Sequence, residues 1–345
     1  MLEKLVRKNV LALQPYSSAR DEFTSEAEIF IDANENPHNW MYNRYPDPYQ
    51  KKLKSAISEW KHVDVNNIFL GSGSDEIIDL LIRAFCEPKE ENIVVLNPSY
   101  GMYKVSADIN NVGVKYFSLD KNFCFKANEL LDSIAENDKI IFICSPNNPS
   151  GNLVNNETIL NICENFTGLV VVDEAYIDFA DTPGMIDMVS KIPNLVVMQT
   201  LSKAMGAAGL RLGMGFMNEF LVKILNKIKP PYNINTGTQE VAYNLVVNRS
   251  KKSYQIETIK SERKKLADQF QKLNFVKEVF PSDANFILVQ VKNADHLYNY
   301  LLDNGIVARN RNKQFRCEGC IRFTIGTPEE NLKLIESLYK YQDKN

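Results

Sequence analysis

The sequence predicts an α/β protein: a large domain built on a doubly wound, mostly parallel sheet, joined to a smaller α+β domain. Three observations carry that expectation. First, short apolar runs recur along the middle of the chain, at Ile68–Gly71, Ile93–Leu96, Val114–Phe117, Ile140–Cys144, Leu169–Asp173, Leu195–Gln199 and Gly213–Phe216. Runs that are apolar at every position, rather than at alternate ones, mark strands buried on both faces. Second, amphipathic stretches such as Asp75–Phe85, Ala127–Glu136 and Glu157–Phe166 separate many of these runs. Intervening helices imply parallel crossovers, because parallel neighbours cannot be joined by a tight turn. Third, the texture changes after Pro230-Pro231.

Element by element, residues 1–30 read as a helical or irregular arm, and Pro15, Pro37, Pro46 and Pro48 then punctuate a loop-rich stretch before the first strand. The strands and helices of the large domain follow to about residue 235. Beyond it, a polar helical region over roughly 237–273 leads into strands at Val276–Phe280 and Asn285–Val291. A helix near His296–Asn304, a strand near Ile306–Arg309, the strand Cys320–Thr324 and a last helix from Pro328 complete the chain. The expected division is an arm over 1–32 packing with the small domain, a large domain over 33–235 and a small domain over 236–345.

Composition narrows the class. The 345 residues are 44% hydrophobic and 24% charged, so the chain can bury a large core without disulfides or metal. The formal net charge of −3 is spread without a long basic run, which argues against nucleic acid as the main partner. The opening MLEKLVRKNVLALQPY carries charges throughout and lacks the apolar core of a signal peptide. No stretch approaches the ~18 apolar residues of a membrane span, so a cytoplasmic protein without membrane contact is expected. Several of the six cysteines sit in apolar runs, as reduced thiols do. Cys317 and Cys320 form a C-x-x-C with no second ligand pair, and no metal is expected.

Five segments carry chemistry. In Thr200–Gly213, TLSKAMGAAGLRLG, Lys203 stands among small residues after an apolar strand. Such a lysine can hold an aldehyde cofactor covalently, because small neighbours let a ring approach. Arg211, with the hydroxyls of Thr200 and Ser202, can bind a phosphate. Asp173 closes the strand of VVVDEAYIDF, at the carboxyl edge where open α/β sheets bind ligands. A carboxylate there can keep a pyridine nitrogen protonated, and Tyr176 lies three residues on. CSPNNPSG puts Asn148 in a strand-end loop. FLGSGSDEII runs strand, glycine turn, helix start, leaving the N–H groups of Ser74 and Asp75 to receive a phosphate. NPSYGMY offers Tyr100, whose face can stack on a ring. Alone, each has a plain structural reading: a surface lysine, a strand-end carboxylate, a turn, a capped helix, a packed tyrosine. Together, four strand ends of one sheet each offer a group that a pyridoxal phosphate needs.

With these residues, the chain resembles the fold-type I pyridoxal-phosphate enzymes of the class I/II aminotransferases. The supporting stretches run nearly end to end: NVLALQPYSSAR, IDANENP, NRYPDP, GSGSDEIIDLLIRAFCEP, PSYGMYKVSA, CSPNNPSG, VVDEAYIDF, TLSKAMGAAGLRLG, GIVARNRNKQF and CIRFTIGT. Within the family, Pro15–Arg20, Asn43–Pro46 and the arginine-bearing C-terminal segment resemble the branch acting on L-histidinol phosphate in histidine biosynthesis. The same scaffold also carries aromatic amino-acid aminotransferases and threonine-phosphate decarboxylases.

The resemblance implies pyridoxal 5′-phosphate as cofactor, with Lys203 as its anchor and proton shuttle. Asp173 is implied to pair with the ring nitrogen, Asn148 and Tyr176 to bind the phenolic oxygen, and Tyr100 to stack. Ser74, Asp75, Ser202 and Arg211 are implied to bind the phosphate, with Thr200 assisting. Arg322 matches the arginine that holds a carboxylate of the glutamate partner, and Arg309 a second anion contact. Tyr16, Asn34 and Tyr45 match substrate-site positions, Tyr45 reaching from the neighbouring subunit of a homodimer with shared sites. The serines at 72 and 74 and the FRCEGC linker depart mildly from the family's pattern.

Overall fold

The computed structural model describes residues 2–16 and 28–344. Its centre is a sheet of seven strands: β1 (Ile68–Ser72), β2 (Asn92–Asn97), β3 (Gly113–Ser118), β4 (Asp138–Cys144), β5 (Leu169–Asp173), β6 (Leu195–Thr200) and β7 (Leu212–Met217). Their order is β1-β7-β6-β5-β4-β2-β3. The pairs β2–β3, β2–β4, β4–β5 and β5–β6 are parallel, whereas β7 runs antiparallel to both β1 and β6. The carboxyl ends of β1, β4, β5 and β6 therefore share an edge with the start of β7. There the chain crosses from strand to loop, and backbone N–H groups and side chains become available to a ligand.

The apolar runs are explained by two cores. In β5 all five residues are buried; Val170 and Val172 join Leu70, Ile141 and Val197 on one face, while Val171 joins Phe69, Phe142 and Val196 on the other. Each such side chain contributes about 1.5–3 kcal/mol on burial. The helix Ser74–Phe85 lays Ile77, Ile78, Leu81 and Phe85 on the second face, which holds its N-terminus at the ligand edge.

A second sheet has four antiparallel strands, β8 (Val276–Val279), β9 (Phe286–Val291), β10 (Arg309–Asn310) and β11 (Cys320–Thr324), in the order β10-β11-β9-β8. Helices Ser250–Phe270, Ala294–Asp303 and Pro328–Lys344 belong with it; Leu266, Phe270, Leu297 and Leu338 pack with Ile287, Val289 and Phe323. The two sheets are in contact. Phe280, Leu288, Cys317 and Cys320 join the apolar cluster of Leu70 and Val172, and Arg263 Nη1 donates to Phe179 O (3.2 Å) and Ala284 O (2.8 Å).

Four expectations need adjustment. The strand near 306–309 is Arg309–Asn310, because Ile306 N still donates to Leu301 O (2.8 Å) at the end of the preceding helix. The helical region over 237–273 is two helices, Thr236–Val247 and Ser250–Phe270. The Ala127 helix stops at Asp132 in a turn closed by Ser133 N donating to Leu130 O. The arm does not pack on the small sheet over residues 2–12. Leu2, Val6 and Val10, four residues apart, form one apolar stripe that lies with Leu221 and Leu225 of the helix Glu219–Ile228 beside the large sheet. Arg7 pairs with Glu87 (3.0 Å), and Lys227 Nζ donates to Leu11 O (2.6 Å). Ser17 to Arg20, part of the branch motif, lie outside the described residues. Among the described residues no helix is long and apolar enough to cross a membrane.

Candidate active site

Ten residues singled out in the sequence line one cleft of about 120 Å³ at the carboxyl edge of the large sheet: Ser74, Asp75, Tyr100, Asn148, Asp173, Tyr176, Thr200, Ser202, Lys203 and Arg211. They come from four strand ends and a helix start, which is why no local stretch of sequence contains the site.

One wall is built for an anion. Gly73 precedes the helix Ser74–Phe85 at φ 78° with no side-chain cap, so the first N–H groups of the helix face the cleft unpaired by a side chain. A Cβ on Gly73 would lie 2.7 Å from Arg211 Nη2, and one on Gly213 would lie 2.4 Å from Ser74 N. Glycine at both positions lets β1, β7 and the arginine converge. Thr200 Oγ1 lies 2.9 Å from Ser202 Oγ and accepts from Ser202 N (3.1 Å), which fixes that turn. Arg211 Nη2 is 3.4 Å from Asp75 Oδ2, and Tyr100 donates to Asp75 Oδ1 (3.1 Å).

The floor is a buried carboxylate. Asp173 is 3% exposed; its Oδ1 accepts from Ala175 N (3.1 Å) and its Oδ2 from the Tyr103 hydroxyl (2.7 Å). Burial pushes its carboxyl above the usual carboxylate range, and the Tyr103 and Ala175 hydrogen bonds pull it back. Lys203 is open to the cleft, its Nζ 5.6 Å from the centre of the Tyr176 ring. Protein on its other sides lowers the ammonium pKa through lost solvation, and the Arg322 charge lowers it further. Burial raises the phenols of Tyr100 and Tyr176, so both are neutral donors at pH 7.

The small sheet meets the cleft at Asn148. Arg309 and Arg322 are register partners of β10 and β11, so both side chains leave the same face. Arg322 Nη1 donates to Asn148 Oδ1 in a short hydrogen bond. Tyr16, Asn34 and Tyr45 are not brought to this cleft within the chain. Tyr16 is 69% exposed. Asn34 and Tyr45 line a separate, wider cleft of about 650 Å³, in which Tyr45 stacks on Tyr232 at 4.4 Å. Glu35 holds that segment away, accepting from Arg44 Nη1 (2.7 Å) and from Tyr45 N (2.6 Å).

Two residues of the site escaped the sequence reading. Tyr103, fully buried on Phe142, reaches Asp173 from 70 positions away. Its signal is the helix Met102–Ile109, whose first turn points it at the sheet. Arg311 Nη2 donates to Asn148 Oδ1 (3.4 Å); its signal is the two-residue spacing from Arg309.

The profile of the aminotransferase class I and II family matches residues 22–338, and the chain belongs to that family. It is an enzyme that transfers amino groups. The chain is 52% identical to a histidinol-phosphate aminotransferase of Parabacteroides distasonis over 98% of each chain, and 49% identical to one of Bacteroides fragilis over 99% of each. Its fold superposes on the histidinol-phosphate aminotransferase of Clostridium acetobutylicum with a TM-score of 0.81 at 27% identity, covering 88% of this chain and 91% of that one. It shares the fold of the Sinorhizobium meliloti histidinol-phosphate aminotransferase in complex with pyridoxal-5′-phosphate, with a TM-score of 0.78 at 21% identity, covering 86% and 83%.

The donor set fits pyridoxal 5′-phosphate: an anion cradle that two glycines keep open, a buried carboxylate, neutral phenols and a lysine of lowered pKa in one cleft.

Proposed function

We propose that this enzyme exchanges an amino group between L-glutamate/2-oxoglutarate and L-histidinol phosphate/3-(imidazol-4-yl)-2-oxopropyl phosphate, by a ping-pong reaction in the cytoplasm. The observation that carries the reading is Arg322, bonded to Asn148 of the Lys203 cleft, with Arg309 as its register partner on the same face of the small sheet. Both partners bring anionic groups to the reacting carbon, a carboxylate in one case and a phosphate ester in the other. Relatives near 50% identity over nearly the whole chain support the same substrate. A decarboxylase on this scaffold is not favoured, since the threonine-phosphate decarboxylase of Porphyromonas gingivalis, at 22% identity, shares the fold alone.

Pyridoxal 5′-phosphate supplies the electron sink for this chemistry. In this reading Lys203 holds the cofactor and then takes the proton from the substrate's α-carbon. Its lowered pKa favours the neutral amine that this needs. Asp173 holds a proton on the ring nitrogen. Tyr176 and the Nδ2 group of Asn148 donate to the phenolic oxygen; Asn148 Oδ1 is already occupied by arginine, so its amide is oriented. Tyr100 covers the ring. Ser74, Asp75, Ser202 and Arg211 bind the phosphate, and Thr200 holds Ser202. The arm, the large domain to about residue 235 and the small domain beyond form the working division. The test is a half-reaction screen: L-histidinol phosphate and L-glutamate should each convert the pyridoxal absorbance to that of the pyridoxamine form. Failure of L-histidinol phosphate while another amino donor reacts would replace the substrate.

The same reading makes the active unit a homodimer whose sites are shared. Tyr45 is 51% exposed, and Trp40, Met41 and Tyr42 beside it are also exposed, a run of aromatic surface that a partner would cover. A two-fold interface presents the same patch twice, so a loop reaching across one site completes the other as well. Tyr45→Ala and Lys203→Ala chains, each nearly inactive, should recover activity when unfolded and refolded together. One site of a mixed dimer carries both defects and the other neither, so random pairing restores roughly a quarter of wild-type sites. No recovery would put Tyr45 in its own chain's site.

A further inference from the structure

Arg311 has so far been given only the orienting of Asn148, yet its segment is held on several sides. The side chains of Asn310 and Asn312, on either side of it, face the helix Ala294–Asp303. Asn310 Nδ2 and Asn312 Nδ2 donate to the two carboxylate oxygens of Asp295 (2.7 and 2.9 Å). Asn312 Oδ1 accepts from Gly319 N (2.7 Å), and Gln314 Nε2 donates to Ser99 O (3.3 Å) on the large sheet side. Arg311 N continues the strand pairing by donating to Cys320 O (2.9 Å). Alternation then turns Arg311 to the face of Arg309 and Arg322.

On that face three guanidinium groups gather without a carboxylate among the charges that act on Arg311 or Arg322. Burial and the two neighbouring arginines bring the Arg311 pKa down to about 10. The Nε atoms of Arg311 and Arg322 are buried and have no hydrogen-bond partner. Nε is the inner edge of the guanidinium fork that receives a bidentate anion. Like charges held together with unfilled donors are offset only when an anion binds.

We infer that Arg311 is a specificity residue for the phosphate ester, a further guanidinium beside Arg322 and Arg309 that lets this site take a dianion as well as a carboxylate. The inference rests on the histidinol-phosphate reading above. A carboxylate carries one charge and matches one fork. A phosphate monoester carries about −1.5 to −2 near pH 7 and offers three acceptor oxygens. Arg322 serves the first; Arg311, beside it on the shared Asn148 oxygen, adds a fork for the second.

Half-reactions of the holoenzyme with L-histidinol phosphate, L-histidinol and L-glutamate separate the possibilities. Arg311→Gln should lower kcat/KM for L-histidinol phosphate by about 30-fold or more, as loss of one buried charge-assisted contact does. The losses for L-histidinol and L-glutamate should stay under about fivefold, and inorganic phosphate should bind the holoenzyme at least about tenfold more weakly by calorimetry. Equal losses for all three donors, or phosphate affinity unchanged or undetectable in the wild type, would overturn the inference by reducing Arg311 to a support for Asn148. If Arg311→Gln does not fold, Arg311→Lys keeps the charge without the fork. It should still discriminate against the phosphate ester, and no discrimination overturns the inference. A wild-type enzyme that ignores L-histidinol phosphate altogether removes the substrate reading instead.

Discussion

Lys203→Ala is expected to reduce turnover by about 10⁴-fold or more, since in the proposed reading it removes both the covalent anchor and the proton carrier. The protein should remain folded. Lys203 stands in the turn after β6, open to the cleft, and contributes to neither face of the sheet. The substitution also removes a cation that burial and the Arg322 charge disfavour and the Asp173 and Asp75 charges favour. The cofactor retains its phosphate cradle and carboxylate in the variant, bound without a covalent bond and therefore lost on dialysis. Borohydride reduction of the wild-type enzyme, followed by peptide mapping, should place the label on Lys203. Label on any other lysine would displace it from the centre of the site.

Asp173→Asn is expected to leave cofactor binding intact and slow both half-reactions by at least about 10²–10³-fold, the scale of losing one preorganised electrostatic group. The exchange is isosteric, and the surroundings can accommodate it. Ala175 N still has an amide oxygen to donate to, and the Tyr103 hydroxyl, which now donates to Oδ2, can accept from the new NH₂ group instead. The loss is therefore one of charge rather than shape. A neutral amide cannot hold a proton on the ring nitrogen, and the electron sink weakens. Single-turnover absorbance kinetics read the step directly, and a wild-type rate would take that role from Asp173.

What the sequence made legible was whatever lies close along the chain. The strand ending in Asp173 could be read because five buried residues in succession have few other solutions. The Lys203 segment could be read because small residues, a lysine and an arginine fall within one turn of chain. Tyr103 and Arg311 could not, for different reasons. The first acts through a contact across 70 positions that only the packing of a helix on the sheet creates. The second depends on strand register, and the strand was expected to end at Arg309, two residues before it. Where the first residues of the arm settle could not be read, because the stripe at 2, 6 and 10 says that an apolar partner exists without saying which one. Asn34 and Tyr45 lie outside their own chain's cleft, as Tyr45 must if it serves a neighbour.

The reversed strand β7 sets an order of events during synthesis. β1 lies at the edge of the sheet and has β7 as its one strand neighbour, paired from Ser72 with Leu212 to Ile68 with Phe216. Roughly 140 residues separate the two halves of that pair. At 5–20 residues per second, a ribosome needs about 7–30 s to deliver the partner once β1 has been made. Through that interval the β1 edge has no strand to pair with, and the close approach of Gly213 to Gly73 and Ser74, which shapes the proposed phosphate cradle, does not exist. Lys203 arrives just before β7, so the proposed anchor and the proposed cradle are finished together. No shorter nascent chain can capture the cofactor in this geometry, and the long wait leaves an apolar strand edge for a chaperone to shield.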